Sequence, residues 1–307
     1  MGADRPLLGI GLMLGFCVLM PLGDGIAKLL GERIPVVQLL LIRFGAQALI
    51  LLPLMAALRL TFRLGGRVLA LTALRTALHV AGIGAMYTAL RFMPLADAIA
   101  VAFVMPFVML LLGALFLGET VGPRRLAASV AGFGGTLMIL QPSFAEVGPP
   151  ALLPLGVAVA FALFMLITRL IAREADPISL QAVSGLMAAA LLLPLVILVE
   201  GSPALAPVMP AGAEWALLAA LGAIGTGAHL LMTWSLRFAP TATLAPMQYL
   251  EIPFATAIGW LLFRDLPTGL AALGIVVTIA SGLYVVLSER ALSRAAAAPA
   301  QPAPPAV

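Results

Sequence analysis

Apolar residues run along this chain in long blocks, each broken by a short polar or Pro/Gly-bearing interruption. A helix needs about 20 apolar residues to cross the hydrocarbon core of a bilayer. Laid against that length, the blocks predict membrane-spanning helices near 7–30, 35–58, 68–90, 94–117, 123–141, 152–171, 177–199, 213–236, 240–263 and 268–288. The interruptions carry turn chemistry, as in Glu32-Arg33-Ile34-Pro35, Arg63-Leu64-Gly65-Gly66-Arg67, Met93-Pro94 and Gly118-Glu119. Connections are short except for the Pro- and Gly-rich stretches 141–151 and 200–213, and none has room for a soluble catalytic domain. The first block is too long for a signal-peptide core and reads as a retained first helix. An Ala/Pro tail from Ala295 is expected to be disordered.

Composition removes the soluble alternatives. Apolar residues make up 63% of 307 positions and charged residues 10%, whereas a soluble domain carries about a quarter charged residues. The formal charge of +4 raises the question of nucleic acid. The basic residues are spread thinly over connecting segments, without a basic stripe or a stacking platform, so no nucleic-acid partner is expected. Cys17, the only cysteine, lies in an apolar block and offers neither a disulfide nor a metal site.

The basic residues instead set orientation, because Lys and Arg accumulate on the cytoplasmic side. With the N-terminus inside, eleven fall in inside segments (among them Arg5, Arg59, Arg63, Arg67, Arg124 and Arg125). Four fall outside: Lys28, Arg33, Arg91 and Arg264. Arg43 and Arg75 lie within spans. Both termini are therefore expected in the cytoplasm.

The chain also resembles itself at an offset of about 146. Leu90-Arg91-Phe92-Met93-Pro94 recurs as Leu236-Arg237-Phe238-Ala239-Pro240. Pro106-Phe107 then matches Pro253-Phe254 after a one-residue slip, Gly113 matches Gly259, and Glu119 matches Asp265. Five helices is an odd number, so the second unit must enter the membrane from the opposite side. The expected fold is an all-α membrane protein of ten transmembrane helices in two inverted five-helix repeats, 1–145 and 146–290, with a cytoplasmic tail over 291–307. Inverted repeats suit alternating access around a site near the midplane.

Gly23-Asp24-Gly25-Ile26-Ala27-Lys28, Arg43-Phe44, the run Ala89 to Ala98, Leu117-Gly118-Glu119 and the run Leu244 to Glu251 resemble the EamA-type drug/metabolite transporter superfamily. The resemblance covers nearly the whole ordered chain. It implies a ten-helix fold with a central cavity lined mainly by helices 1, 3, 4, 6, 8 and 9, while helices 5 and 10 commonly serve packing or dimerisation, so a homodimer is conceivable. Asp24, Lys28 and the Ala-Pro-x-x-Tyr-Leu-Glu run at 245–251 look most like the S-adenosylmethionine carriers. Where those carriers repeat an acidic residue in helix 6, this chain has Leu166.

An ionisable residue deep in a span costs about 2.5–3.5 kcal/mol on insertion scales and should face a cavity or a partner. Asp24 and Lys28 are four apart, either an i,i+4 pair or a substrate-facing acid beside a base. Arg43, one turn before Gln47, is placed to bind an anionic group, to snorkel, or to pair with an acid. Arg75 and His79 share one face of helix 3 and form the best local constellation for a carboxylate or phosphate, unless Arg75 pairs with a neighbouring acid. Glu251, near the middle of helix 9 and three residues after Gln248, is a candidate proton carrier or a counter-charge to an arginine. Asp97 fits the helix start after Pro94. Met247, Tyr249, Tyr87 and Trp234 are candidate stacking surfaces. His229 stands in the half opposite His79 without occupying the aligned position, and no metal-ligand spacing occurs. Pro106 and Pro253, at equivalent places in helices 4 and 9, are candidate gating hinges.

The reading is a secondary carrier, without ATP-binding motif or cofactor, for a small polar metabolite such as an amino acid or an S-adenosylmethionine-like compound. It would act across a bacterial inner membrane by alternating access. A riboflavin or aromatic-metabolite carrier of the same superfamily is the alternative. A membrane-embedded lipid- or sugar-modifying enzyme fits less well, since such enzymes present acidic, His or Cys clusters at an interface.

Overall fold

The computed structural model describes residues 6–60, 65–105, 107–108, 111–112, 123–171, 174–198, 206–238 and 247–297. Among them the chain is helical. The first half supplies α1 (Pro6–Gly31), α2 (Val36–Ala57), α3 (Gly66–Ala89), α4 (Leu95–Ala102) and α5 (Pro123–Val147). After a 3-10 turn (Pro149–Leu152) come α6 (Leu153–Ile171), α7 (Pro177–Leu198), α8 (Glu214–Phe238), α9 (Glu251–Phe263) and α10 (Gly269–Ala297). Seven of these helices are long and apolar enough to cross a membrane, and Glu251–Phe263 and Gly269–Tyr284 are shorter apolar helices. Large apolar side chains such as Leu49, Ile197, Leu261 and Leu287 face outward. An outer surface of that kind is suited to lipid.

The expected spans other than the fourth and ninth meet helices, and parts of those two, 113–117 and 240–246, lie outside the described residues. The helix expected to end near 288 continues to Ala297, because Ala and Arg are among the best helix formers. The fourth and ninth spans are interrupted. α4 gives way at Phe103–Val104, where Val104 N–H donates to the Val101 carbonyl in a tightened 3-10 pattern. α9 begins after a turn at Tyr249–Leu250, four residues before Pro253, which has no N–H to return to the Tyr249 carbonyl. Pro106, the other expected hinge, lies outside the described residues.

Two helices stop on non-glycine residues in the left-handed region. Arg59 (φ 53°) follows α2, and Arg264 (φ 60°) follows α9. After Arg264, Asp265 N–H reaches back to the Gly259 carbonyl, a Schellman-type closure that satisfies a carbonyl at the helix end.

The helices pack in pairs: α1 with α8, α2 with α7, α3 with α6, α4 with α9, and α5 with α10. Exchanging the nth helix of one set of five with the nth helix of the other returns the same pairs. Glycines allow the closest approaches. A Cβ on Gly185 of α7 would come within 3.0 Å of Ala48 N and 3.1 Å of Phe44 O on α2. One on Gly222 of α8 would collide with the Cβ of Ala46. Small residues of this kind let membrane helices pack backbone to backbone.

Candidate functional site

A cavity with an empty volume of about 670 Å3, its open mouth included, is enclosed by α1, α3, α4, α6, α8 and the start of α9. Its walls are mostly methionine and phenylalanine, with Met20 and Phe16 from α1, Met86 from α3, and Phe161 and Met165 from α6. Three polar side chains interrupt this lining: Asp24, Gln248 and Glu251. No Lys, Arg or His is among the lining residues.

Asp24 is 2% exposed, and its Oδ1 has no hydrogen-bond partner. Of the two arrangements open to Asp24 and Lys28, the i,i+4 pair is absent among the described contacts. Lys28 Nζ instead donates to the Met93 carbonyl (2.8 Å) and to Asp265 Oδ2 (3.3 Å). One helical turn separates Asp24 from Lys28, but the longer side chain reaches outward to the α9 end and leaves the shorter acid in the cavity. Glu251 is likewise buried and makes none of the ion pairs found among the described residues. Asp24 and Glu251 thus place two acids in the lining of one cavity.

Arg43, Arg75, His79 and His229 come together elsewhere, in a buried network behind the cavity wall between α2, α3, α6, α7 and α8. Arg75 is fully buried. Its Nε donates to Thr168 Oγ1 (2.7 Å), its Nη1 donates to Ser184 Oγ (2.8 Å), and its guanidinium lies 4.4 Å from the Phe164 ring centroid. Its partners among the described residues are two hydroxyls and a ring, with no acid among them, and its Nη2 has no hydrogen-bond partner. Arg43 Nη2 lies 3.2 Å from His229 Nδ1, and His229 Nε2 lies 2.8 Å from His79 Nε2.

A guanidinium can only donate, so the Arg43 contact requires a bare His229 Nδ1. His229 then carries its proton on Nε2 and donates it to His79 Nε2, leaving the His79 proton on Nδ1. The alternative, His229 Nδ1–H donating to the Gly225 carbonyl at 3.2 Å, would set that proton against the Arg43 N–H. Gly225 makes the arrangement possible, because a Cβ there would sit 2.9 Å from Arg43 Nε. Gln47 Nε2 donates to the Gln181 carbonyl (2.7 Å), and Gln181 Nε2 donates to Thr233 Oγ1 (3.2 Å), which extends the network toward α7 and α8.

Two phenylalanines separate network from cavity. Phe16 lines the cavity and meets the His229 ring edge-on at 6.2 Å, and Phe161 does the same with His79 at 5.9 Å. Neither was singled out from the sequence. Their equivalent positions in α1 and α6, one repeat length apart, were the available signal.

Met247 and Tyr249 do not line the cavity. The Met247 carbonyl accepts from Cys17 Sγ (3.2 Å). The Tyr249 ring packs on Gly282 of α10 and, at 5.3 Å, on Phe103. Trp234 packs beside Leu51 in a separate apolar cluster. Asp97 stands in the first turn of α4, as expected. Among the described residues no group of three or more His, Cys, Asp or Glu is placed to hold a metal.

The EamA-like transporter family matches this chain twice, over residues 7–141 and 149–288. A riboflavin transporter of Rhizobium johnstonii is 33% identical over 217 residues, 70% of this chain and 69% of its own length. An S-adenosylmethionine uptake transporter of Rickettsia felis is 26% identical over 294 residues, 94% of this chain and 96% of its own. One solved crystal structure superposes with a TM-score of 0.64 at 21% identity, over 93% of this chain and 97% of that one, a likeness of fold. With both matched stretches together covering most of its length, the chain belongs to the EamA-like transporter family.

Proposed function

We propose that this small-molecule transporter is a secondary carrier for a compact metabolite that bears a positive charge and an apolar or planar part, amino-acid-like or S-adenosylmethionine-like. It would move that cargo across the inner membrane by alternating access. The observation that carries this is the charge of the cavity: two buried carboxylates, Asp24 and Glu251, and no basic lining residue among the described residues. Buried acids that make no ion pair among the described residues favour a cation. Thioether and phenyl walls accept an aromatic or sulfur-bearing body, through stacking and S–aromatic contacts. The two inverted five-helix units proposed for this mechanism, 1–145 and 146–290, are supported by the double family match and by the exchange symmetry of the helix pairs.

The apolar walls and the Gln248 amide support a second reading, an uncharged planar metabolite such as riboflavin. Uptake into proteoliposomes separates the two. S-adenosylmethionine uptake should fall at least about tenfold in Asp24→Asn or Glu251→Gln, the loss of a charged contact worth about 1.4 kcal/mol. If Glu251 also carries the coupling proton, Glu251→Gln should flatten the pH dependence of the remaining uptake. Riboflavin uptake that neither substitution alters would replace the first reading with the second.

A further inference from the structure

Two ion pairs at the ends of the bundle share a pattern. Arg33, in the turn between α1 and α2, pairs with Glu214 at the start of α8 (2.9 Å). Arg67, at the start of α3, pairs with Glu174, in the turn between α6 and α7 (3.2 Å). Each pair joins the first turn of one set of five helices to the third helix of the other. Arg33 and Glu174 are about one repeat length apart in the chain, and so are Arg67 and Glu214. The two pairs are thus counterparts under the helix exchange, with both bases in the first set and both acids in the second.

They also lie at opposite ends. α2 and α7, each 22 residues long and so about 33 Å, separate Arg33 from Arg67 and Glu174 from Glu214. The Arg33 end is held more firmly. Arg33 Nη1 lies 2.9 Å from both Glu214 carboxylate oxygens, and Nη2 donates to the Met209 carbonyl. Glu214 Oε2 also accepts from Ala211 N–H (2.8 Å), and Gln38 grips Val208 through both its N–H and its carbonyl. The Arg67–Glu174 pair has one contact among the described residues, between side chains 68% and 45% exposed. No carboxylate or guanidinium of either pair lines the cavity.

We propose that these pairs are two latches of one switch, made and broken in alternation, and that they set which face of the cavity opens. In this state both latches are shut, as between two open faces, and the Arg67–Glu174 latch is the more exposed one. A cation and an anion on opposite halves close an end when they meet. Because a cation and an anion recur at the other end, either face can be closed by the same kind of contact, as a carrier cycling between two faces requires. The inference rests on the alternating-access reading above. Its test reads cavity accessibility without cargo, so a mistaken cargo leaves it standing.

In a Cys17→Ala background, Met20→Cys places a single thiol in the cavity wall. Its labelling by a membrane-impermeant maleimide is measured in sealed right-side-out and inverted vesicles. Arg33→Glu should raise labelling from the Arg33 face roughly two- to fivefold and lower it from the other face, the range set by the worth of one exposed ion pair. Arg67→Glu should do the reverse. The exchanged pairs Arg33→Glu/Glu214→Arg and Arg67→Glu/Glu174→Arg should each restore the original ratio. Where Arg33→Glu does not accumulate, Glu214→Gln gives the same reading. Equal changes from both faces, no change from either, or exchanged pairs that fail to restore the ratio would overturn the proposal.

Discussion

Arg75 has an unusual set of partners for a cation inside a membrane. Its guanidinium is fully buried, with two hydroxyls and a ring as contacts and no carboxylate in reach among the described residues. Removing a buried charged group and its volume together is costly, whereas a long apolar replacement is often near neutral. Arg75→Ala should therefore destabilise by about 3–5 kcal/mol, through the void and the lost donors to Thr168 and Ser184. Arg75→Met keeps the length and should cost less than about 1.5 kcal/mol. Thermal unfolding in detergent distinguishes them. Equal losses would mean that the charge itself is needed, either toward Asp24 or toward cargo.

At this scale the sequence was legible in identity and not in partnership. Polar residues in apolar blocks pointed to Asp24, Gln248 and Glu251, which line the cavity, and also to Arg43, His229 and, as the best local constellation, Arg75 and His79, which do not. Nothing in spacing distinguishes the two groups. His79 and His229 occupy non-aligned positions in their halves, yet a turn of each helix brings their Nε2 atoms to 2.8 Å. Lys28 was drawn to Asp24 by i,i+4 spacing, while the distant Asp265 wins it.

Among the elements, α5 and α10 show how small residues decide packing. A Cβ on Gly274 would meet the Gly135 carbonyl oxygen at 2.6 Å and Ile139 N at 3.1 Å. One on Gly135 would meet Gly274 O at 2.9 Å and Thr278 N at 3.0 Å. These are backbone atoms and cannot rotate away. Gly274→Ala should push the helices apart at a cost of about 1–3 kcal/mol. Gly134→Ala, one residue from the contact and with nothing within 4 Å of the new methyl, should be neutral or slightly stabilising through helix propensity. A Gly274→Ala protein that melts with Gly134→Ala would show that the contact does not hold the pair. Apolar block lengths fixed where most helices lie, because lipid leaves a spanning segment few alternatives to a helix. They could not show the breaks at Phe103–Val104 and Tyr249–Leu250, which come from one missing N–H and a tightened turn rather than from hydropathy.

For the whole molecule, the remaining question is which end faces the cytoplasm, and the ion pairs sharpen the charge argument. Of the four basic residues assigned outside, Lys28 is held by Asp265 and Arg33 by Glu214, and Arg91 and Arg264 are the other two. The eleven at the other end outnumber them in any case. Free Lys and Arg near helix ends resist translocation, which fixes topology during insertion. The expected arrangement places both termini in the cytoplasm, and termini on the same side require an even number of crossings. That parity also sustains the inverted-repeat mechanism, because two five-helix units in opposite orientation return the chain to its starting side. A fluorescent protein that matures only in the cytoplasm, fused after Val307, should glow, and alkaline phosphatase fused there should be inactive. An epitope before Met1 should resist protease in intact spheroplasts and be cleaved in inverted vesicles. An active phosphatase fusion with a protected N-terminal epitope would make the number of crossings odd, leave the two units parallel or incomplete, and remove the symmetry on which both the cavity and the latches depend.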